Sequence, residues 1–300
     1  MNVLLKVVFS LASWTALEAA PQPHPGDIDN RPECDCGSSI RSVGTRVVGG
    51  QDAVRGRFPY ATGLMFRTYG AQPRRMELDQ TFCGGTLITD RHILTAAHCV
   101  HGKSPWDLSL NVGDYDIATR NETPNVFREV TAFVKHPDYA AAAFRNDIAV
   151  VQMDRPVDWN SGIKAASIAG RDVPLSPGTK VTVYGWGRLQ YGGGRPSVLQ
   201  SLELPVMSRE ECQQRYHTII TDNMLCAGGE TGHDACIGDS GSGLTVRLDN
   251  EYALVGVVSF GKKCALPHVA GVYTRVPNFV DWIYEQTRDA ACRPCIATQR

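Results

Sequence analysis

Between Val47 and about Val276 the chain is broken every few residues by clusters of Gly, Pro, Asn and Asp, and the runs between are short and rich in β-branched and aromatic residues. "DIAVVQM", "KVTVYGW" and "YALVGVVSF" are examples. Runs of this length and composition bury their side chains as strands, because β-branched residues fit a pleated surface and turn residues end each run. The pattern predicts an all-β sandwich or barrel. One good helix is expected at the end, where Asn278 is placed to cap it and Phe279, Trp282 and Ile283 fall on one face.

The first 20 residues, "MNVLLKVVFSLASWTALEAA", are mostly apolar and end in small residues before "PQPHPGD", as a secretory signal peptide does. That apolar run is short for a bilayer, and no later segment approaches about 18 uninterrupted apolar residues, so no membrane span is expected. Residues 21–46 are rich in Pro, Gly, Ser and charge and read as an irregular segment rather than a folded unit. A formal net charge of −1 supplies no basic field, which argues against a nucleic-acid partner. The 10 cysteines, an even number, fit disulfides in an oxidising compartment. Zinc is the competing reading, since "CDC" (Cys34, Cys36) and "CRPC" (Cys292, Cys295) offer four thiolates.

No single reactive residue carries weight, because the chain has 8 histidines and a lone His is more often structural. Their combination does. Peptide hydrolysis by a serine needs a hydroxyl, an imidazole to take its proton, a carboxylate to orient that imidazole, and backbone donors for the oxyanion. The chain offers "TAAHC" with His98, "NDIAV" with Asp147 and "GDSG" with Ser240, in that order.

In these motifs, their order and their spacing the chain resembles the chymotrypsin and trypsin family of serine proteases, from Val47 to the final helix. The resemblance implies two packed six-stranded antiparallel β-barrels with a C-terminal helix, and a domain over 47–300 that carries a Cys-containing tail. It implies His98 as general base and then acid, Asp147 as its orienting partner and Ser240 as nucleophile. The N–H groups of Gly238 and Ser240 would form the oxyanion hole, where loss of one donor costs about 2.7–4 kcal/mol. Ser259 matches the serine that holds the triad carboxylate from its far side. Asp234 would lie at the base of the specificity pocket, with Gly261 and Gly271 on its walls and Ala235 beside it. A carboxylate there selects Arg, and Lys less readily, because a guanidinium meets it with paired hydrogen bonds.

"TRVVGG" implies a zymogen: cleavage after Arg46 would free Val47 to pair with Asp239. The pairs Cys83–Cys99, Cys212–Cys226 and Cys236–Cys264 follow from the matched positions. Residues 21–46 would then remain as a light chain. This chain has no cysteine between Cys99 and Cys212 to serve as the family's usual partner, and a Cys34–Cys36 bridge would need a very tight ring, so at least one cross-link from Cys34 or Cys36 to Cys292 or Cys295 is expected, with both crossed arrangements open.

Three features depart from the family. After the serine the family usually continues Gly-Gly-Pro, whereas here Gly241, Ser242 and Gly243 follow; with positive φ, Ser242 would cost about 1–2 kcal/mol. Phe260 stands where the family usually has Trp, and Lys263 where trypsins have Gly. "VGDYD" brings Asp114 and Asp116 near ligand positions of the trypsin calcium loop, with only Glu122 following, so a solvated acidic loop without cofactor is the preferred reading over calcium. Asn121 in "NET" is a glycosylation sequon. Arg74 and Arg75, in a lengthened loop, read as a solvated pair.

The expected protein is a secreted, extracellular endopeptidase. Its partners would be protein or peptide substrates with Arg or Lys at the cut, an activating protease or itself, and protein protease inhibitors. The alternatives are a catalytically inactive, protease-like binding or regulatory protein and a zinc-structured factor.

Overall fold

The computed structural model describes residues 29–37, 51–67, 81–119, 122–187, 194–229, 240–249, 251–261 and 269–299. The chain divides into Met1–Asn30, of which only residues 29 and 30 are described, and Arg31–Arg300, to which everything below refers.

After a two-residue strand β1 (Gln51–Asp52), six strands follow: β2 (Ala61–Phe66), β3 (Thr81–Leu87), β4 (His92–Thr95), β5 (Leu108–Val112), β6 (Val126–Lys135) and β7 (Ala149–Met153). They close into an antiparallel barrel in the order β2-β3-β4-β7-β6-β5. Beyond β8 (Ser167–Ala169) come β9 (Lys180–Gly185), β10 (Gln200–Met207), β11 (Met224–Gly228), β12 (Gly243–Leu248), β13 (Glu251–Phe260) and β14 (Ala270–Arg275). These run β12-β9-β10-β11-β14-β13, and pairing of β12 with β13 closes a second barrel. Closure leaves neither barrel a free hydrogen-bonding edge. Two parallel pairings were not legible in the sequence: β8 lies along β13, and β15 (Ile296–Ala297) lies along β8.

Helices are few. α1 (Ala97–Val100) is a single turn, α2 (Arg209–Gln213) is capped by Ser208, whose Oγ accepts the Glu211 N–H, and α3 (Val280–Gln286) comes last. The sequence expectation that Asn278 caps α3 is not met. A 3₁₀ turn over Val276–Phe279, with Pro277 near its start, runs straight into the helix. The Asn278 amide instead donates to the Asp222 carbonyl (3.0 Å) and Asn223 Oδ1 (2.9 Å). Phe279 and Ile283 are buried in the main core, with Trp282 packed against it.

Residues Arg31–Gly37 are threaded between Ala165 and the C-terminal tail. Cys34 is bonded to Cys292 and Cys36 to Cys295. This selects one of the two crossed arrangements and overturns the zinc reading for these four sulfurs. Backbone bonds follow the same line: Arg293 N–H to the Pro32 carbonyl, Cys34 N–H to that of Arg293, Ala165 N–H to that of Asp35, and Gly37 N–H to that of Ala165. Arg31 donates to the carbonyls of Thr287 (2.6 Å) and Ala290 (3.1 Å), which lie beyond the end of α3 and attract a cation. The first cross-link closes a loop of sequence separation 258, worth about 5.5 kcal/mol in the chain-entropy account. The second then closes only a small ring, and chiefly fixes orientation.

The tail also reaches the turn between β3 and β4. Thr89 Oγ1 accepts the backbone N–H groups of Arg91 (3.2 Å) and His92 (3.0 Å), so its own proton goes to His92 Nδ1 at 2.8 Å. His92 Nε2–H is thereby left to donate to Asp289 Oδ1 at 3.1 Å, beyond α3. Burial pushes the His92 imidazole down to about 4, against the opposing pull of Asp289. A depressed imidazole favours the neutral folded state. Its contribution is therefore present above the ordinary value of 6.5 and is lost as pH falls towards about 4. Urea unfolding should accordingly show stability dropping by roughly 2 kcal/mol from this group between pH 7 and pH 4, and His92→Gln should flatten that part of the profile.

Candidate active site

The elements that carry the singled-out residues converge between the barrels. β4 ends at Thr95 and leads into α1 with His98, Asp147 stands just before β7, and Ser240 stands just before β12. Asp147 is fully buried. Its Oδ2 accepts from His98 Nδ1 at 2.7 Å and from Ser259 Oγ at 2.5 Å, and its Oδ1 accepts the His98 backbone N–H at 2.8 Å. Thr274 Oγ1 donates to the Asp147 carbonyl at 2.7 Å. An ionised carboxylate only accepts, so Nδ1 carries the imidazole proton and Nε2 keeps its lone pair. A group able to take a proton is thus held in one tautomer, with its ring a quarter exposed.

Ser240 is seated by its backbone. Its carbonyl accepts the Gly84 N–H at 2.8 Å, and the Gly84 carbonyl accepts Thr95 Oγ1 at 2.8 Å. Gly241 has φ +83°, which glycine adopts without strain, and a Cβ there would lie 2.5 Å from the Gly84 carbonyl oxygen. Ser242 is not among the described residues with positive φ, so the left-handed cost anticipated for it is not incurred. Among the described residues no hydrogen bond joins the Ser240 hydroxyl to His98, and such contacts commonly tighten only when substrate is bound. Nitrogen and sulfur atoms of His98, Cys83 and Cys99 cluster, but the Cys83–Cys99 disulfide removes both sulfurs as metal ligands. Cys212 is bonded to Cys226.

Gly261 and Gly271 lie side by side: a Cβ on Gly261 would lie 4.0 Å from the Gly271 Cα. Asp234, Gly238, Asp239, Arg46, Val47, Asn121, Arg74, Arg75 and Lys263, and the pair Cys236 and Cys264, lie outside the described residues.

Sequence reasoning missed Phe144. Its ring meets the His98 imidazole edge-on at 5.7 Å and Phe260 at 5.3 Å, and Phe260 meets Tyr216 at 5.7 Å, making an aromatic wall beside His98. Phe144 and Asn146 both have φ 50°, an unfavourable backbone for a bulky residue, held just ahead of Asp147. Nothing in the letters "FRND" announces that geometry.

The reading of the acidic loop as solvated fails for Asp114, which is buried, and the acids there are engaged internally. Asp114 accepts from Asn111 Nδ2 (2.5 Å), Asn125 Nδ2 (3.3 Å) and the Tyr115 N–H (2.8 Å), and Glu122 accepts from the Asp116 N–H and Thr119. Burial, with the neighbouring Glu122 adding to it, raises Asp114 to about 6. Both line a cavity of about 250 Å³ with Arg55 and Ser161.

A family model described as Trypsin matches residues 47–283. Serine protease filzig of Drosophila melanogaster is 36% identical over 269 residues, 87% of this chain but 16% of filzig. Proclotting enzyme of Tachypleus tridentatus is 33% identical over 284 residues, 90% of this chain and 72% of the relative. Vitellin-degrading protease of Bombyx mori is 37% identical over 243 residues, 80% and 85% of the two chains. The chain thus spans most of two of these relatives and a small part of filzig.

The bond from Ser259 to Asp147 can be tested by itself. Ser259→Ala leaves His98 and Ser240 in place and removes one donor to a buried carboxylate, so kcat/KM for a peptide amide should fall about tenfold with the fold retained, as read by steady-state kinetics and Tm.

Proposed function

Because the chain belongs to the trypsin family of serine proteases and is a serine endopeptidase, we propose that it is secreted as a zymogen, activated by cleavage after Arg46, and then cuts on the C-terminal side of Arg and, less readily, Lys. The observation that carries the catalytic part is the buried Asp147 carboxylate fixing the His98 tautomer. Ser240 Oγ attacks the scissile carbonyl while His98 Nε2 takes its proton and later delivers it to the leaving amine. Water then attacks the acyl-enzyme by the same route. Asp147 stabilises the imidazolium formed in each half, and the N–H groups of Gly238 and Ser240 receive the oxyanion. The inactive-relative reading loses its ground, since no group of this set is replaced.

For the substrate, Asp234 supplies the carboxylate, and the side-chain-free walls at Gly261 and Gly271 admit a long cation. The Phe144 and Phe260 rings offer an apolar face to the residues just before the cut. No cofactor is needed for this chemistry. Should Asp114 and Glu122 take a cation, their oxygen-only donors suit calcium, whose charge would offset the raised Asp114 carboxyl.

The leader, residues 1–20, supports secretion, and no helix among the described residues is long and apolar enough to cross a membrane. The two cross-links at Cys34 and Cys36 support a light chain that stays attached after the cut. Together with relatives such as the proclotting enzyme, a retained light chain favours a regulated cascade over digestion. Its partners would be an activating protease or the enzyme itself, protein substrates and protease inhibitors.

Cleavage after Arg46 should raise amidase activity by orders of magnitude, and Arg46→Gln should block that rise. Non-reducing mass spectrometry of the activated protein should find the segment ending at Arg46 still attached, with release only on reduction. Free loss without reductant would refute the light chain. Separately, Asp234→Ser should lower kcat/KM for arginyl substrates by about 10²-fold or more while leaving the rate of labelling by a small serine phosphonate within a few-fold, because the pocket charge is lost and the nucleophile is not. Equal losses in both assays would mean a collapsed site.

A further inference from the structure

Gly243 is a glycine for reasons of space. Its φ lies outside the left-handed region, so other residues could adopt its backbone. A Cβ there, however, would fall 2.3 Å from Tyr184 Oη, 2.7 Å from Thr86 Oγ1 and 2.8 Å from Leu254 Cδ1. Where the family usually carries proline, this chain has placed a tyrosine hydroxyl.

Tyr184, on β9, is buried, stacked on Phe58 at 4.7 Å and edge-on to Tyr60 at 5.7 Å. Its Oη lies 2.6 Å from Thr86 Oγ1 on β3 and occupies the room that a Cβ on Gly243 would need. β3 grips the same loop a second time through Gly84, whose N–H holds the Ser240 carbonyl. A Cβ on Gly84 would lie 1.9 Å from Ser242 Oγ, so the two surfaces meet with no room for a side chain. The stretch from Ser240 to Gly243 is therefore seated at two points, on Gly84 of β3 in the first barrel and on the pair formed by Thr86 of β3 and Tyr184 of β9, which joins the two barrels.

We propose that Tyr184 is a positioning residue for Ser240: its hydroxyl stands in for the family's proline, filling that volume and holding Gly243, and through it the serine loop, against β3. The proposal rests on the reading of Ser240 as nucleophile. It makes Tyr184 and Gly243 a coupled pair, each tolerable only with the other.

The test compares the activated parent with Tyr184→Phe, Gly243→Pro, Tyr184→Thr and the Tyr184→Thr/Gly243→Pro double variant, measuring kcat, KM and Tm. Tyr184→Phe keeps the ring and loses the hydroxyl, and should lower kcat about tenfold with KM within about threefold. A change in Tm alone, with kcat kept, would mean a merely structural tyrosine and overturn the proposal. Gly243→Pro alone should lower kcat by about 10²-fold or more, and the double variant should regain at least about tenfold of that. A double variant no better than Gly243→Pro overturns the coupling, as does a Gly243→Pro variant with parental kcat. Should Gly243→Pro fail to fold, a folded and active double variant supports the pair, and an unfolded one overturns it. Ser240→Ala separates the two readings. Residual full activity there would remove Ser240 as nucleophile, whereas the coupling would still be read in the Tm values of the parent, Tyr184→Thr, Gly243→Pro and the double variant.

Discussion

The Asp147 carboxylate is the contact on which the rest of the site depends. It is sealed from water, and a sealed charge costs several kcal/mol unless donors surround it. Its donors come from both halves of the molecule: His98 from the first barrel, Ser259 on β13 and, to its backbone, Thr274 on β14. The barrels are thus docked through the same bonds that orient the imidazole. A displacement of one barrel against the other strips a buried charge, so a rigid interface and a fixed His98 tautomer are one property. The left-handed backbone at Phe144, unfavourable for a bulky ring and lying three residues before Asp147, fits this.

A second chain of contacts leads to His98 from behind. Arg31 and the two cross-links fix the tail after α3, Cys292 Sγ lies 3.7 Å from Asp90 Oδ1, and Asp289 holds His92. His92 begins β4, which ends at Thr95, three residues before His98. The N-terminal segment is consequently more than a tether. It fastens the tail that buttresses β4, the strand leading to His98.

How much of this was legible in the letters depended on whether the determinant was local. The strand runs are local, since alternation and turn residues act within a few positions, and both barrels could be anticipated once the motifs around His98, Asp147 and Ser240 were matched. The six-strand closure by β12 and β13 follows from that match, whereas the parallel β8 and β15 depend on where a cross-linked tail comes to rest. The pairing of Cys34 with Cys292 was open because both crossed arrangements close nearly the same loop; backbone bonds between residues 32–37 and 165 or 293 decide it. Asn278 looked like a cap because capping propensity is local, but its amide found tertiary partners at Asp222 and Asn223 instead. Phe144 was invisible because its role lies in a φ value and two ring contacts.

The same distinction explains the unusual letters after Ser240. Gly241 and Gly243 are indistinguishable in sequence, yet the first is a glycine because its backbone is left-handed and the second because a hydroxyl from another strand occupies the room of its Cβ. Ser242 between them has ordinary φ, so the departure from Gly-Gly-Pro brings no left-handed strain. The departure does move the constraint. A proline would stiffen the loop from within by fixing its own φ, whereas a glycine leaves the loop's shape to be imposed from outside by Gly84, Thr86 and Tyr184. A loop held from outside is only as well placed as the strands that hold it, which ties the precision of Ser240 to β3 of the barrel that carries His98 and to β9 of the other barrel at once.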